Sequence, residues 1–353
     1  MRTGEIPVMD NNLQDIEFCG FVAKPGTKVQ GYISITDDTP DIPFTLINGT
    51  KPGKRILITA GIHGNEYPGI LATAQLVRRI DPLKMSGSLA ILHLVNGGAF
   101  MERRAAIVPA DGKNINRVYP GKEDGTAAEK IAWFITREMG RGYDFYMDLH
   151  SGDLHEDLIP HFYYSVLAKP EVIEKSREAA KNLYIHMMVQ SQSPNGSIAA
   201  AAQNDLPGIL IERGGNCIWN ENDEIGYLAD MYRIMKYFGI YDDGKERCNL
   251  GHIHDFGTSR PIIAKESGLW KPLVKPGDIV KKGQIVGTIT DVFGNVREEV
   301  IAVEEGTDLY QLSALSVRKG DPVMFCAVEQ SCLLLHKSGD SEVTHHDHHE
   351  LIE

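Results

Sequence analysis

"RILITAGIHGNEYPGILATAQLVRRI", residues 55–80, joins two periodicities through a glycine-rich loop. The first six residues are a compact apolar run rich in β-branched side chains, the signature of a strand buried on both faces. From Tyr67 the apolar residues recur at helical spacing, and Pro68 suits the first turn of a helix. A strand therefore passes through "GIHGNE" into a helix over 67–80.

The same alternation recurs. Further strands are predicted at "SLAILHLV" (88–95), "YDFYMDL" (143–149) and "PGILI" (207–211), and helices at 126–139, 171–183 and 222–238, the last stopped by Gly239. Strands alternating with helices imply an α/β fold with a mostly parallel, mixed sheet flanked by helices. After about residue 245 the texture changes to short alternating strands broken by turn glycines, as in "GLWKPLVKPGDIVKKGQIVGTITDVFG" (268–294). A smaller, all-β barrel-like domain is expected there.

The expected organisation is thus a hydrolase domain over 1–245 with an N-terminal β segment over 1–50, a β-domain over 246–335, and a mobile His-rich tail over 336–353. The polar stretch 241–259 is the expected boundary. The tail's "HHDHH" could bind transition metals weakly, a role incidental to catalysis.

Composition narrows the function. With 42% hydrophobic and 24% charged residues the chain is that of a globular protein, and it has no apolar run of membrane-spanning length. Its amino terminus lacks the pattern of a secretory signal, so a cytoplasmic location is expected. A net charge of −12 with no basic stripe argues against nucleic acid and anionic membranes and favours a small-molecule partner. The five cysteines are scattered, odd in number and never spaced as CxxC, which speaks against both a disulfide framework and a cysteine-held zinc.

Ligands of an open parallel sheet bind at the carboxyl ends of its strands. Here those ends carry His63 and Glu66, Asn96, His150 and Glu212. A phosphate loop is excluded, because Ile70 and Leu71 stand where "GNEYPG" would need Lys and Ser/Thr. A catalytic zinc explains more: three nitrogen or oxygen ligands with one open position, supplied by His63, Glu66 and His150. Asp148 could orient a ligand imidazole, or only pair with a helix end. Glu212 is the expected general base.

The stretch 101–121 places Arg103, Arg104 and Arg117, with Asn116, in one long loop. A guanidinium can clamp a carboxylate through two parallel hydrogen bonds, and a second one near the metal can stabilise an oxyanion, for which Arg104 and Arg103 are the candidates. Each residue alone reads more simply as a polar turn, a surface pair or a hydrogen-bonded histidine; the ensemble shifts the balance. His155 and His161 are expected at the surface or the pocket rim.

"TAGIHGNEYPG", "DGKNINRVYPG", "DLHSG", "GILIERGG" and "LVKPGDIVKKGQIVGTITDVFG" occur in this order. Together they resemble the succinylglutamate desuccinylase/aspartoacylase family, the deacylase branch of the zinc carboxypeptidase-like (M14) hydrolases, over roughly residues 40–330. The resemblance implies His63, Glu66 and His150 as ligands of one zinc ion per chain, Glu212 as general base, and Asn116 with Arg117 as the clamp for a substrate carboxylate. It also implies an arginine upstream of that clamp, for which Arg104 is chosen over Arg103 although the spacing around "MERRAAIVP" departs from the family's pattern. The late region is similar to the family's β-barrel domain, itself shaped like lipoyl and biotinyl carriers, but has no lysine turn for attaching a cofactor.

The expected function is zinc-dependent hydrolysis of the amide, or ester, bond of a small N-acylated amino acid or related carboxylate. Glu212 would take a proton from water activated by the metal and return it to the leaving nitrogen. The alternatives are a zinc carboxypeptidase acting on peptides and, from another class, a non-catalytic metal-binding or partner-docking protein. The acyl group depends on loops such as 151–165 and 190–200 and stays open, as does a homo-oligomer in which a neighbouring copy covers the crevice.

Overall fold

The computed structural model describes residues 14–245 and 253–329. The chain opens with a two-stranded hairpin, β1 (Ile16–Phe18) and β2 (Phe21–Ala23), followed by β3 (Thr27–Ile33), β4 (Ile42–Asn48) and β5 (Lys51–Ala60). Then come α1 (Tyr67–Arg79), β6 (Ser86–Leu92), α2 (Gly97–Glu102), α3 (Ala127–Met139), β7 (Phe145–His150), β8 (Glu156–Leu158) and β9 (His161–Ser165). The unit closes with α4 (Pro170–Ala180), β10 (Met187–Ser191), α5 (Ser197–Gln203), β11 (Gly208–Glu212), α6 (Glu221–Tyr237) and β12 (His254–Phe256).

Nine of these strands form one mixed sheet in the order β12-β10-β9-β11-β7-β5-β6-β4-β3. The neighbours β11, β7, β5 and β6 are mutually parallel, so their carboxyl ends lie along one edge. The next strand, β9, is antiparallel to β11, so it presents its amino end at that same edge.

Strand alternation divides the core. Ile56, Ile58, Phe145, Met147 and Leu149 pack with α1, α4 and α6 on one face, whereas Leu57, Tyr146 and Leu210 pack with α3 and α5 on the other. Side chains two apart on a strand share a face, so Asp148 and His150 fall on the face of Tyr146, and Glu212 on that of Leu210. Asp148, His150 and Glu212 therefore share the α5 side of the sheet.

The remaining strands, β13 (Thr258–Ile263), β14 (Gly268–Pro272), β15 (Ile279–Val280), β16 (Ile285–Thr290), β17 (Val296–Ile301), β18 (Gly306–Leu312), β19 (Ser316–Val317) and β20 (Pro322–Val328), make two antiparallel sheets. Trp270, Val280, Val286, Ile289 and Val323 fill the space between them. The two parts of the chain are stitched by backbone pairing, since β8 lies antiparallel to β18, with Leu158 opposite Tyr310 and Glu156 opposite Leu312.

Several segments differ from expectation. The stretches 151–165 and 190–200, expected as loops, contain β8, β9 and the start of α5. β12 lies beyond the boundary set at 245/246 yet pairs with β10 in the large sheet. The His-rich tail, residues 1–13, and the centre of the 241–259 boundary lie outside the described residues. No described helix is long and apolar enough to cross a membrane.

Candidate metal centre

β5 ends at Ala60, and Gly61, with φ +66°, turns the chain back over the sheet edge. At Gly64 a Cβ would lie 2.3 Å from the Phe100 amide nitrogen, so only glycine lets the His63–Glu66 loop press against α2. Glu66 occupies the N-cap of α1 without capping it through its side chain. Its carboxylate, favoured by the helix dipole at that end, turns instead toward two imidazoles.

His63 Nδ1 lies 2.6 Å from Glu66 Oε1, and His150 Nδ1 lies 2.9 Å from Glu66 Oε2. The two rings stand edge to face at 4.9 Å. The far nitrogens are committed. His63 Nε2 is 3.0 Å from Asn114 Oδ1, an oxygen that also accepts from the Asn116 amide at 2.8 Å, so the imidazole must donate there. His150 Nε2 is 3.0 Å from Asp148 Oδ2, whose carboxylate also accepts from Ser197 and, at 2.7 Å, from Thr59.

With both Nε2 atoms donating, a neutral imidazole at either position turns its Nδ1 lone pair toward a carboxylate oxygen at contact distance. Such a cluster requires protons or a cation between its donors. His63, Glu66 and His150 are all nearly solvent-free, their ligand atoms lie within 4.8 Å of one another, and they could hold a metal ion. Two imidazoles and a carboxylate, with the imidazoles fixed from behind by Asp148 and Asn114, are the donor set that zinc takes in an open catalytic site.

The electrostatics agree. Burial alone would raise the Glu66 carboxyl, but the adjoining His63 and His150 outweigh it and hold it at about 2. Burial would likewise depress His150, yet Asp148 and Glu66 raise it well above its usual range, marking a position built to carry positive charge. Glu212 stands beside His150 in the parallel register of β11 and β7. Burial, reinforced by Glu66, Glu156 and Asp148 and opposed by His150, lifts its carboxyl well above the carboxylate range, and its Oε2 has no hydrogen-bond partner among the described residues.

The other predicted residues sort into those gathered here and those elsewhere. Asn116 is buried, and its Oδ1 accepts from the Ser197 amide at 2.8 Å, capping α5 from another part of the chain. Arg117 donates to the Asn116 carbonyl at 3.2 Å, and its charge reaches Tyr310 on β18. Arg104 is 60% exposed and leans toward Glu102 at 3.6 Å rather than toward the cluster. Arg103, the left-handed C-cap of α2, instead influences Tyr67, whose phenol burial and Cys217 raise and Arg103 lowers. Asn96 spends its side chain on capping α2 and on the Ile107 carbonyl.

His155 is exposed, but His161 is not at the surface: only 1% of it is exposed. It opens β9 directly opposite Glu212, so His150, Glu212 and His161 stand in one row across three strands. A search of strand carboxyl ends passes over His161, because β9 runs the other way. Asn114 is a second omission; its only sequence signal is its place two residues before Asn116.

Residues 52–237, over half of the chain, match the model of the Succinylglutamate desuccinylase/Aspartoacylase catalytic domain. An N-alpha-acetyl-L-2,4-diaminobutyric acid deacetylase from Halomonas elongata is 28% identical over 293 residues, 81% of this chain and 85% of the relative. Among solved structures, a succinylglutamate desuccinylase/aspartoacylase from Rhodobacter sphaeroides superposes with a TM-score of 0.76 at 22% identity, covering 86% of this chain and 95% of that one. The product-bound ectoine utilization protein EutE (DoeB) from Ruegeria pomeroyi gives 0.76 at 22% identity, over 85% and 95% of the two chains. At that identity the structural likenesses speak for the fold.

Proposed function

The chain belongs to the succinylglutamate desuccinylase/aspartoacylase family, and on that premise we propose that it is a zinc-dependent deacylase hydrolysing the amide bond of a small N-acylated amino acid. The observation that carries the reading is the convergence of His63 Nδ1, His150 Nδ1 and the Glu66 carboxylate, with both Nε2 atoms occupied, beside the buried Glu212. The deacetylase named above, which resembles this chain over most of its length, supports an acylated amino acid as substrate.

Bound zinc would supply Lewis acidity at the scissile carbonyl and would acidify water. Asp148 and Asn114 hold the two imidazoles in the tautomer that presents Nδ1, and Glu66 completes the set. Glu212 takes a proton from the attacking water as the C–O bond forms. As the C–N bond breaks it returns that proton to the leaving nitrogen, giving a carboxylate and an amine. Burial raises its pKa, which strengthens it as a base toward water. Asn116 fixes the loop that carries Arg117, and Arg117 pairs with a substrate carboxylate. The oxyanion contact falls to Arg103 or Arg104.

The test is Glu212→Gln with metal content measured alongside. The variant should keep about one zinc per chain and lose roughly 10²–10⁴-fold in kcat. Near-normal turnover in a zinc-loaded variant would remove the assignment. A panel of N-acyl amino acids against peptides with free and blocked carboxyl ends separates this reading from a carboxypeptidase, which should prefer the peptides.

A further inference from the structure

His161 is a buried acceptor that the proposed reaction does not use. Its Nδ1 lies 2.8 Å from the Ile159 carbonyl, so that nitrogen carries the proton and Nε2 carries the lone pair. Burial, only partly opposed by the Ile159 bond, lowers the imidazole to about 4 and keeps it neutral. Nε2 is shielded from solvent and has no hydrogen-bond partner among the described residues. A polar atom in that condition costs free energy that a bound donor would recover.

The groups around the imidazole bear on what kind of donor it would accept from. The imidazole stacks on Tyr310, with planes 2° apart and centroids at 6.0 Å, and meets Tyr163 edge-on at 5.1 Å. Glu212 is its cross-strand neighbour, with Oε2 also unpartnered among the described residues. Burial raises the phenols of Tyr163 and Tyr310 most, and Glu212 and Glu156 raise both further, so both acidic side chains lie near this corner. Arg117 acts on Tyr310 with the opposite sign. The Glu156 carboxylate, aromatic rings and a neutral acceptor favour a cation, while Arg117 nearby favours an anion. A ligand carrying both charges fits: an amino acid whose side chain ends in a second ammonium.

Resting on the deacylase reading, we propose that His161 determines specificity, its Nε2 accepting a hydrogen bond from a side-chain ammonium on the amino-acid half of the substrate. Glu156 supplies countercharge, and the rings of Tyr163 and Tyr310 wall the subsite. An aspartate-like side chain would meet the Glu156 carboxylate and an imidazole nitrogen that offers only a lone pair, and be rejected.

The experiment measures binding of two amine products to the zinc-loaded protein by calorimetry: L-2,4-diaminobutyrate and its uncharged isostere L-norvaline. The wild type should prefer the diamine by about 10- to 100-fold, the scale of a hydrogen bond with a charged group. His161→Phe keeps the aromatic stack and removes the acceptor, so the preference should collapse. His161→Gln, which can place an oxygen near the Nε2 position, should retain most of it. No preference in the wild type overturns the proposal whatever the variants do, and so does a preference that survives in His161→Phe. Turnover of the two N-acetyl derivatives, followed in parallel, judges the deacylase reading separately. Ligand preference without turnover removes the reaction and keeps the subsite; turnover without preference removes the subsite alone.

Discussion

Replacing Asp308 with asparagine should stabilise the protein at alkaline pH more than at acid pH. Asp308 lies on β18, is fully buried, and has no hydrogen-bond partner for either carboxylate oxygen among the described residues. Burial first, then the nearby Asp278 and Asp157, raise its pKa from 3.8 to about 7. The folded state therefore binds a proton between those values that the unfolded chain has released, and stability falls as pH rises through that window. Above about pH 7 the whole cost is in force, with a ceiling of about 4 kcal/mol from a shift of this size. Asparagine mimics the protonated form at every pH. Its advantage over wild type should grow by about 2 kcal/mol between pH 5.5 and pH 8. Urea unfolding of metal-stripped protein, followed by tryptophan fluorescence with Trp270 in the core of the same region, reads this directly. An advantage that is constant with pH, or that shrinks toward pH 8, would refute the reasoning.

Two further substitutions probe the centre. Asp148→Asn weakens the acceptor behind His150 Nε2 and should lower zinc affinity about 10- to 100-fold in a chelator competition; unchanged affinity would mean that Asp148 serves only Thr59 and Ser197. Arg117→Gln should raise KM about 10-fold or more for substrates with a free carboxylate and leave their carboxamide analogues little changed. Equal effects on both would separate Arg117 from carboxylate recognition.

The α/β architecture was legible because its central strands are buried on both faces and its helices are amphipathic. The helices expected at 67–80 and 126–139 stand at 67–79 and 127–139. The gathering of His63, Glu66, His150 and Glu212 at one sheet edge followed from β5, β7 and β11 being parallel. Less legible was whatever depends on non-local pairing. α5, "SIAAAAQ", is buried nearly all round and has no polar face to give it a period. β9 reverses direction inside the sheet, and nothing in "HFYYS" announces that reversal. Asn116 reads locally as a polar loop residue, but its oxygen is committed to the Ser197 amide 81 residues on. The choice between Arg103 and Arg104 turns on a left-handed backbone at Arg103, which sends adjacent side chains in different directions.

The pairing of β8 with β18 bears on how the two parts of this chain can change over time. Leu158 and Tyr310 share one register, so the segment leading from His150 to His161 and the strand that carries Tyr310 form a single wall. Removing the late region would strip β8 of its partner and leave unpaired backbone groups on the segment that follows His150. A chimera exchanging only one side would have to reproduce the register of the other. Substitutions at 156–158 and 310–312 should therefore be coupled, while the exposed turn at 291–295 is free of that constraint.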